Sequence, residues 1–251
     1  MQKYFEINKN GNNIFCKVYY NDLKTAKKAV LYCTGFAGHR DNKAAEGYAQ
    51  KVLSKHKNVI IVTFDWPSHG SDVKKRLRLE DCDGYLNIIL DEIKGGFGID
   101  DVFVYATSFG AYEILRYIKA HGEAFKKIAL RSPAVNMYES ITGAIIQEDE
   151  YEKLTKGKDV RVGFDRKVNI NMEFLESLKE NDIRRDDYLD FLEEILIIHG
   201  TNDEVVSFDE SKAFSENNLI EFIPVEGANH RFINPTHMSL ANKLVTEFFG
   251  F

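Results

Sequence analysis

Residues 102–111 read Val102-Phe103-Val104-Tyr105-Ala106-Thr107-Ser108-Phe109-Gly110-Ala111. The first five are apolar or aromatic and do not alternate with polar residues, which is how a strand buried on both faces of a sheet reads. Residues 108–121 carry a helical pattern closed by Gly122. A small-x-Ser-x-Gly turn joins the two, the pattern of a nucleophile elbow. Such a turn is so tight that side chains two before and two after the serine collide unless they are small, and those positions hold Ala106 and Gly110. The turn would hold Ser108 above the sheet, at the positive end of the following helix, where developing negative charge is favoured. Taken alone, the same residues also describe a helix whose N-cap is a serine.

Working outward, short Val/Ile-rich runs recur at 29–32, 59–64, 128–130, 195–198 and 220–225, with helical stretches at 44–54, 79–93 and 235–249. Strands alternating with helices predict an α/β fold, a mostly parallel central sheet with helices on both faces. Ahead of them, 4–7 and 14–20 flank Asn10-Gly11-Asn12 and read as an antiparallel hairpin. Residues 134–192 break the rhythm: they show helical patches at 141–154 and 172–179 but no clear strand. That is too long for a βα connection. The expected organisation is a core of residues 1–133 and 191–251 with an inserted helical cap at 134–190.

Three more loops carry chemistry. His199-Gly200-Thr201-Asn202-Asp203-Glu204 follows the run at 195–198, and Asp203 at a strand's C-terminal end is well placed to accept a bond from an imidazole N–H. Its neighbour Glu204 is a competitor, and a turn or N-cap Asp is the plainer alternative. Glu226-Gly227-Ala228-Asn229-His230 follows the last strand, and a His there can reach the elbow. Of the other histidines, His56 and His121 sit at helix ends, His237 lies in the first turn of the last helix and His199 reads as a structural hydrogen-bonder. His39 and His69 lie in loops near the site, where either could touch a substrate. No spacing among them suggests a metal site. Finally, Cys33-Thr34-Gly35-Phe36-Ala37-Gly38 follows the run at 29–32; the Phe36 and Phe109 N–H groups would form an oxyanion hole. The alternative is a plain Gly-rich turn. Cys33 reads as buried and inert rather than as a rival nucleophile.

The chain has 251 residues and a net charge of -6, and phosphate binding needs clustered Lys and Arg, so nucleic acid is not the expected partner. The densest basic stretch, Lys74, Lys75, Arg76 and Arg78, is followed at once by Glu80, Asp81 and Asp83, and reads as a solvated loop and helix start. The first residues lack the apolar core of a secretory signal, and no window approaches the roughly 18 apolar residues that span a bilayer. Cys16, Cys33 and Cys82 are odd in number and far apart, as free thiols in a reducing compartment would be. A cytoplasmic location is expected.

The order Ser108, Asp203, His230, each just after a buried strand, is that of the α/β-hydrolase superfamily. The sequence resembles that superfamily along nearly its whole length. The marks are Thr34-Gly35-Phe36, Phe64-Asp65-Trp66-Pro67-Ser68-His69-Gly70-Ser71, Ala106-Thr107-Ser108-Phe109-Gly110, His199-Gly200-Thr201-Asn202-Asp203 and Ala228-Asn229-His230. Within it, the chain most resembles bacterial cinnamoyl/feruloyl-type esterases and monoacylglycerol-lipase-like hydrolases. These share the Phe-Asp-x-Pro-x-His-Gly loop and an inserted cap. Two departures are Thr34, where many relatives have His, and Ala106, where Gly is commoner. The resemblance implies an α/β-hydrolase fold and a carboxylic ester hydrolase for small or medium acyl groups, with Ser108 as nucleophile, His230 as base and Asp203 orienting it. No cofactor or metal is implied. The implied partner is a small-molecule ester, and a homodimer is left open. Met137, Ile141, Ile145, Ile146 and Phe164 either line an acyl pocket or pack the cap onto the core. The same triad serves thioesterases, acyltransferases and serine peptidases, and the fold also hosts non-catalytic binding proteins.

Overall fold

The chain opens with a hairpin of β1 (Gln2–Lys9) and β2 (Asn12–Tyr20), turning through Asn10 and Gly11, both at positive φ. A computed structural model describes residues 1–72 and 76–251. Lys74 and Lys75 of the basic run lie outside the described residues. Of the rest of that run, Arg76 pairs with Asp159 at 2.6 Å and Arg78 occupies the N-cap of the following helix.

Six further strands complete the main sheet: β3 (Lys28–Cys33), β4 (Val59–Phe64), β5 (Asp101–Thr107), β6 (Ile128–Arg131), and, far along the chain, Ile195–Gly200 and Glu221–Val225. Between β6 and Ile195 the chain forms α4 (Met137–Ala144), α5 (Glu148–Thr155), a separate hairpin of β7 (Val160–Val162) and β8 (Val168–Ile170), and α6 (Met172–Glu180). The two late strands of the main sheet are therefore β9 and β10. The remaining helices are α1 (Lys43–Lys55), α2 (Leu79–Asp91), α3 (Phe109–His121), α7 (Phe208–Asn217) and α8 (Pro235–Phe248). The sheet order is β1-β2-β4-β3-β5-β6-β9-β10, antiparallel as far as β4 and parallel from there on.

Strand β5 shows why these runs do not alternate with polar residues. Val102, Val104 and Ala106 enter a core shared with α2 and α3, while Phe103 and Tyr105 enter a second core on the opposite face, shared with α1 and α8. Burying each large apolar side chain contributes roughly 1.5–3 kcal/mol, so both faces demand apolar residues. The chain passes from β3 to β4 on one side and returns to β5 on the other. The loops after β3 and β5 therefore diverge to helices on opposite faces and leave a crevice at the carboxyl ends of the strands, where open α/β sheets bind ligands.

The inserted segment differs from its sequence reading. The expectation of no strand in 134–192 is corrected by β7 and β8, whose three-residue runs are too short to register an alternating period. The patch at 141–154 is two helices. Glu150 Oε2 accepts the Gln147 N–H at 2.9 Å and starts the second one afresh. Met137, Ile141, Ile145 and Ile146 are buried in the core cluster shared with α3, whereas Phe164, in the turn between β7 and β8, is 54% exposed. That turn lies against the loop after β3, since a Cβ on Gly163 would come within 3.2 Å of the Ala37 Cβ. Strand β8 is tied to the loop after β4 by the Asn169 N–H, which donates to Ser68 Oγ at 3.2 Å. The insertion thus sits at the carboxyl edge of the sheet. Among the described residues, no helix is long and apolar enough to cross a membrane.

Candidate active site

Ser108 stands between β5 and α3 at φ 51° and ψ -118°. An L-residue at positive φ costs of order 1–3 kcal/mol, and such strain collects at functional sites. Ser108 occupies the N-cap position, yet its side chain makes no cap hydrogen bond to α3. Its backbone holds the turn instead: the N–H donates to the Arg131 carbonyl at 3.1 Å, and its own carbonyl accepts from Ala111 and Tyr112. Gly110 is required because a Cβ there would lie 2.6 Å from the Thr34 carbonyl oxygen.

The loops after β9 and β10 bring the other two residues in. His230 Nε2 lies 3.1 Å from Ser108 Oγ, and its Nδ1 lies 2.9 Å from Asp203 Oδ2 and 3.0 Å from Oδ1. The Asp203 side chain is fully buried, and its Oδ1 accepts the Val205 and Val206 N–H groups at 2.9 and 2.8 Å. Burial alone would push its carboxyl up. The imidazoles of His199 and His230 and the Val206 N–H outweigh burial and hold it well below the usual carboxylate range. Glu204, the sequence competitor, accepts the His230 backbone N–H at 3.2 Å, and among the described residues the ring nitrogens are bonded to Asp203 and Ser108 instead. The two loops touch at Gly200, where a Cβ would stand 2.2 Å from the Ala228 carbonyl oxygen.

Phe36, in the loop after β3, and Phe109, the first residue of α3, flank Ser108. Among the described residues, neither backbone N–H is engaged in a hydrogen bond. Their rings meet edge to face at 5.9 Å, and the His69 ring stacks on Phe109 at 5.9 Å and meets Phe36 edge-on at 5.7 Å. Trp66 Nε1 donates to the Thr34 carbonyl at 2.9 Å and ties down the same loop.

Of the two loop histidines, His69 is buried and donates from Nδ1 to the Pro67 carbonyl at 2.8 Å. Burial pushes its imidazolium down to about 4, so at neutral pH the ring is an uncharged brace. His39 is half-buried, and its pKa is lowered by burial and by Arg166. His56 and His121 sit at helix ends against Phe251 and Tyr117. His199 is fully buried, its Nε2 3.1 Å from Asp203 Oδ2 but off the line of a hydrogen bond. Cys33 is buried and its thiol is pushed well up by burial, which removes thiolate character.

Two groups around the site have no role assigned to them by the sequence. Asp65 accepts the Arg40 and Ser71 backbone N–H groups at 2.7 and 3.1 Å and pairs with the Arg40 guanidinium, lacing the loops after β3 and β4. Gly70, at φ 56°, is pressed against that carboxylate. Arg131 is the second: it is buried, with its guanidinium 5.2 Å from the Phe232 ring.

Residues 65–250 match the model of the prolyl oligopeptidase family. The chain belongs to that family. For this member of the prolyl oligopeptidase family, the matched stretch takes in Ser108, Asp203 and His230 and begins after Phe36. No curated protein matches it by sequence. In three dimensions it is similar to Est1E from Butyrivibrio proteoclasticus with ferulic acid bound (TM-score 0.78, 19% identity, 97% of each chain covered). It is similar also to mouse alpha/beta hydrolase domain-containing protein 10 (TM-score 0.72, 13% identity, 99% of this chain and 98% of that one). A third similar structure is the monoacylglycerol lipase of Paleococcus ferrophilus (TM-score 0.67, 16% identity, 94% of this chain and 98% of that one). At these identities the likeness is one of fold, and the fold is that of the α/β-hydrolases.

Proposed function

We propose that the chain is a serine hydrolase that cleaves carboxylic esters of small or medium acyl groups. Ser108 Oγ attacks the ester carbonyl while His230 Nε2 takes its proton. Asp203 fixes the tautomer and stabilises the imidazolium. The Phe36 and Phe109 N–H groups hold the oxyanion, His230 then protonates the leaving alcohol, and water clears the acyl-enzyme. The observation that carries this reading is the 3.1 Å approach of His230 Nε2 to a Ser108 whose hydroxyl declines the helix cap. Asp203, with two backbone donors and the imidazole on one carboxylate, is the acid such a pair needs. The Phe36 and Phe109 N–H groups, unengaged among the described residues, support the oxyanion role. The ester class draws on the fold's likeness to a protein seen with ferulic acid and to a monoacylglycerol lipase. We assign the segment 134–190 as a cap over the site, in keeping with the contact of its β7–β8 turn with Ala37. No metal or cofactor takes part in these steps, and the partner is a small-molecule ester, met in the cytoplasm.

Membership of the prolyl oligopeptidase family favours a second reading, peptide hydrolysis through the same acyl-enzyme. The test is labelling with a small fluorophosphonate followed by a panel of p-nitrophenyl esters, thioesters and peptide amides. One adduct on Ser108, lost in Ser108→Ala together with ester turnover, is the expected result. Labelling with turnover confined to peptides moves the second reading ahead, and an unlabelled Ser108 refutes both.

A further inference from the structure

Phe36 lies in a short turn hung beside Ser108. The Gly38 N–H donates to the Gly35 carbonyl at 2.9 Å, and Ala37, inside the turn, stands at φ 60°. A non-glycine residue keeps such a φ only where its surroundings over-determine it. Gly35 passes so close to the serine that a Cβ on it would lie 3.1 Å from Ser108 Cβ and 3.6 Å from Oγ. The next backbone N–H along the chain is that of Phe36, so its aim depends on how the two ends of the turn are held. The Phe109 N–H is oriented by α3, whereas Phe36 belongs to no helix or strand.

The end of β4 and the loop after it hold both ends. Before the turn, Trp66 Nε1 donates to the Thr34 carbonyl at 2.9 Å. After it, Asp65 Oδ1 accepts the Arg40 N–H at 2.7 Å, while Oδ2 pairs with the Arg40 guanidinium and accepts the Ser71 N–H at 3.1 Å. Thr63 Oγ1 donates to the Arg40 carbonyl at 2.8 Å. Between these anchors the His69 ring meets the Phe36 ring edge-on at 5.7 Å. The Asp65 carboxylate is 1% exposed, and a buried carboxylate is costly unless it is paired and hydrogen-bonded. The groups that compensate it belong to Arg40 and Ser71, so its burial and the register of the two loops are satisfied together.

We propose that Asp65 is a positioning residue for the oxyanion hole: through its bonds to Arg40 it fixes the far end of the turn and with it the direction of the Phe36 N–H. This rests on the serine-hydrolase reading. A hydrogen bond weakens steeply as its donor swings off line, and an oxyanion hole works through donors held in place before charge develops. Asp65→Asn replaces one oxygen by NH2. Both oxygens already face donors, so the NH2 meets either the Arg40 N–H or the Arg40 guanidinium with the Ser71 N–H, and the Arg40 anchor is released. Among the described residues no bond of the Asp65 side chain reaches Ser108, Phe109, Asp203 or His230, so the triad and the second donor stay in place.

The test compares the full chain with Asp65→Asn on p-nitrophenyl acetate and on its thiono analogue, in which sulfur replaces the carbonyl oxygen. Sulfur is a weak hydrogen-bond acceptor, so the thiono ester draws little on the Phe36 donor. In Asp65→Asn, kcat on the oxygen ester falls by about 10²-fold with KM changed little, and kcat on the thiono ester by less than about tenfold, so the oxygen-over-sulfur ratio shrinks. Thr63→Val removes only the hydroxyl that holds the Arg40 carbonyl and leaves the buried carboxylate paired; it narrows the ratio in the same direction by a smaller factor, and it carries the test should Asp65→Asn fail to fold. A folded variant that keeps the wild-type ratio overturns the inference, as does an equal loss on both esters, which is what a merely structural carboxylate would give. A wild-type protein that takes no fluorophosphonate label on Ser108 overturns the serine-hydrolase reading and this inference with it; a labelled wild type whose ratio is unmoved in the folded variant overturns this inference alone.

Discussion

Asp203→Asn is the substitution whose outcome the geometry determines most tightly. Oδ1 accepts two backbone N–H groups, from Val205 at 2.9 Å and Val206 at 2.8 Å, so the amide oxygen of an asparagine must take that position. The amide nitrogen then replaces Oδ2, which lies 2.9 Å from His230 Nδ1, while Oδ1, at 3.0 Å from the same nitrogen, is already taken by the two backbone donors. An NH2 group there donates, so Nδ1 must accept and the ring proton moves to Nε2. Nε2 faces Ser108 Oγ at 3.1 Å. A protonated Nε2 cannot take the serine proton, and the base is lost while the loop stays in place. A wrong tautomer of this kind lowers kcat by about 10⁴, or roughly 5.5 kcal/mol of barrier. The assay is p-nitrophenyl acetate turnover alongside fluorophosphonate labelling, with circular dichroism to show an unchanged fold. Stability against pH is a second readout. The Asp203 pKa is lowered in the folded state, so its contribution is present above the usual carboxylate range and fades as pH falls below it. The asparagine variant lacks that acid dependence. An Asp203→Asn variant within tenfold of wild type would refute the assignment of Asp203 and the tautomer argument together.

Two further outcomes follow from the packing. Gly200→Ala places a Cβ 2.2 Å from the Ala228 carbonyl oxygen, which also accepts the Asn202 N–H at 3.0 Å. The His230 loop must then shift by about 1 Å, and turnover should drop by about 10²-fold with KM little changed; unchanged kinetics would show that the loop yields without moving His230. Glu113, buried in α3, has its carboxyl pushed up by burial, against the pull of Arg116, from its ordinary 4.5 to about 8. A carboxyl raised in the folded state favours folding below the ordinary value and loses that contribution as pH rises to about 8, with a slope of at most roughly 1.4 kcal/mol per pH unit. Glu113→Gln should flatten urea-unfolding stability across that window, and an equal slope in both proteins would contradict the raised carboxyl.

Much of the fold is legible in the residues because its physical cause is local and repeated. The run at 195–198 is apolar throughout, and that at 59–64 is so apart from Thr63, since both faces of the sheet are covered there, and they appear as β4 and β9. The hairpin at Asn10-Gly11 is legible because positive φ there demands those residue types. Strands β7 and β8 are not legible, for three residues carry no period, and α7 is missed because its residues mix polar and apolar without a marked stripe.

The site divides in the same way. Ser108, Asp203 and His230 each stand just after a strand, and chain order alone selects them as candidates. Sequence cannot choose between a capping and a reacting serine, because both occupy the same position between strand and helix. That choice depends on the serine hydroxyl, which makes no cap bond, and on an imidazole brought from 122 residues away. His69 and His39 look alike as loop histidines, yet one is buried against Phe36 and Phe109 and the other is half exposed. Arg131 reads as the polar end of a short strand; only the packing of β6 between β5 and β9, with Phe232 and Met238 closing over it, makes it a buried cation. Backbone preferences and hydrophobic periods act over a few residues and can be read in one dimension. Burial, charge pairing and hydrogen-bond alignment act through space, and they take values only once distant segments have met.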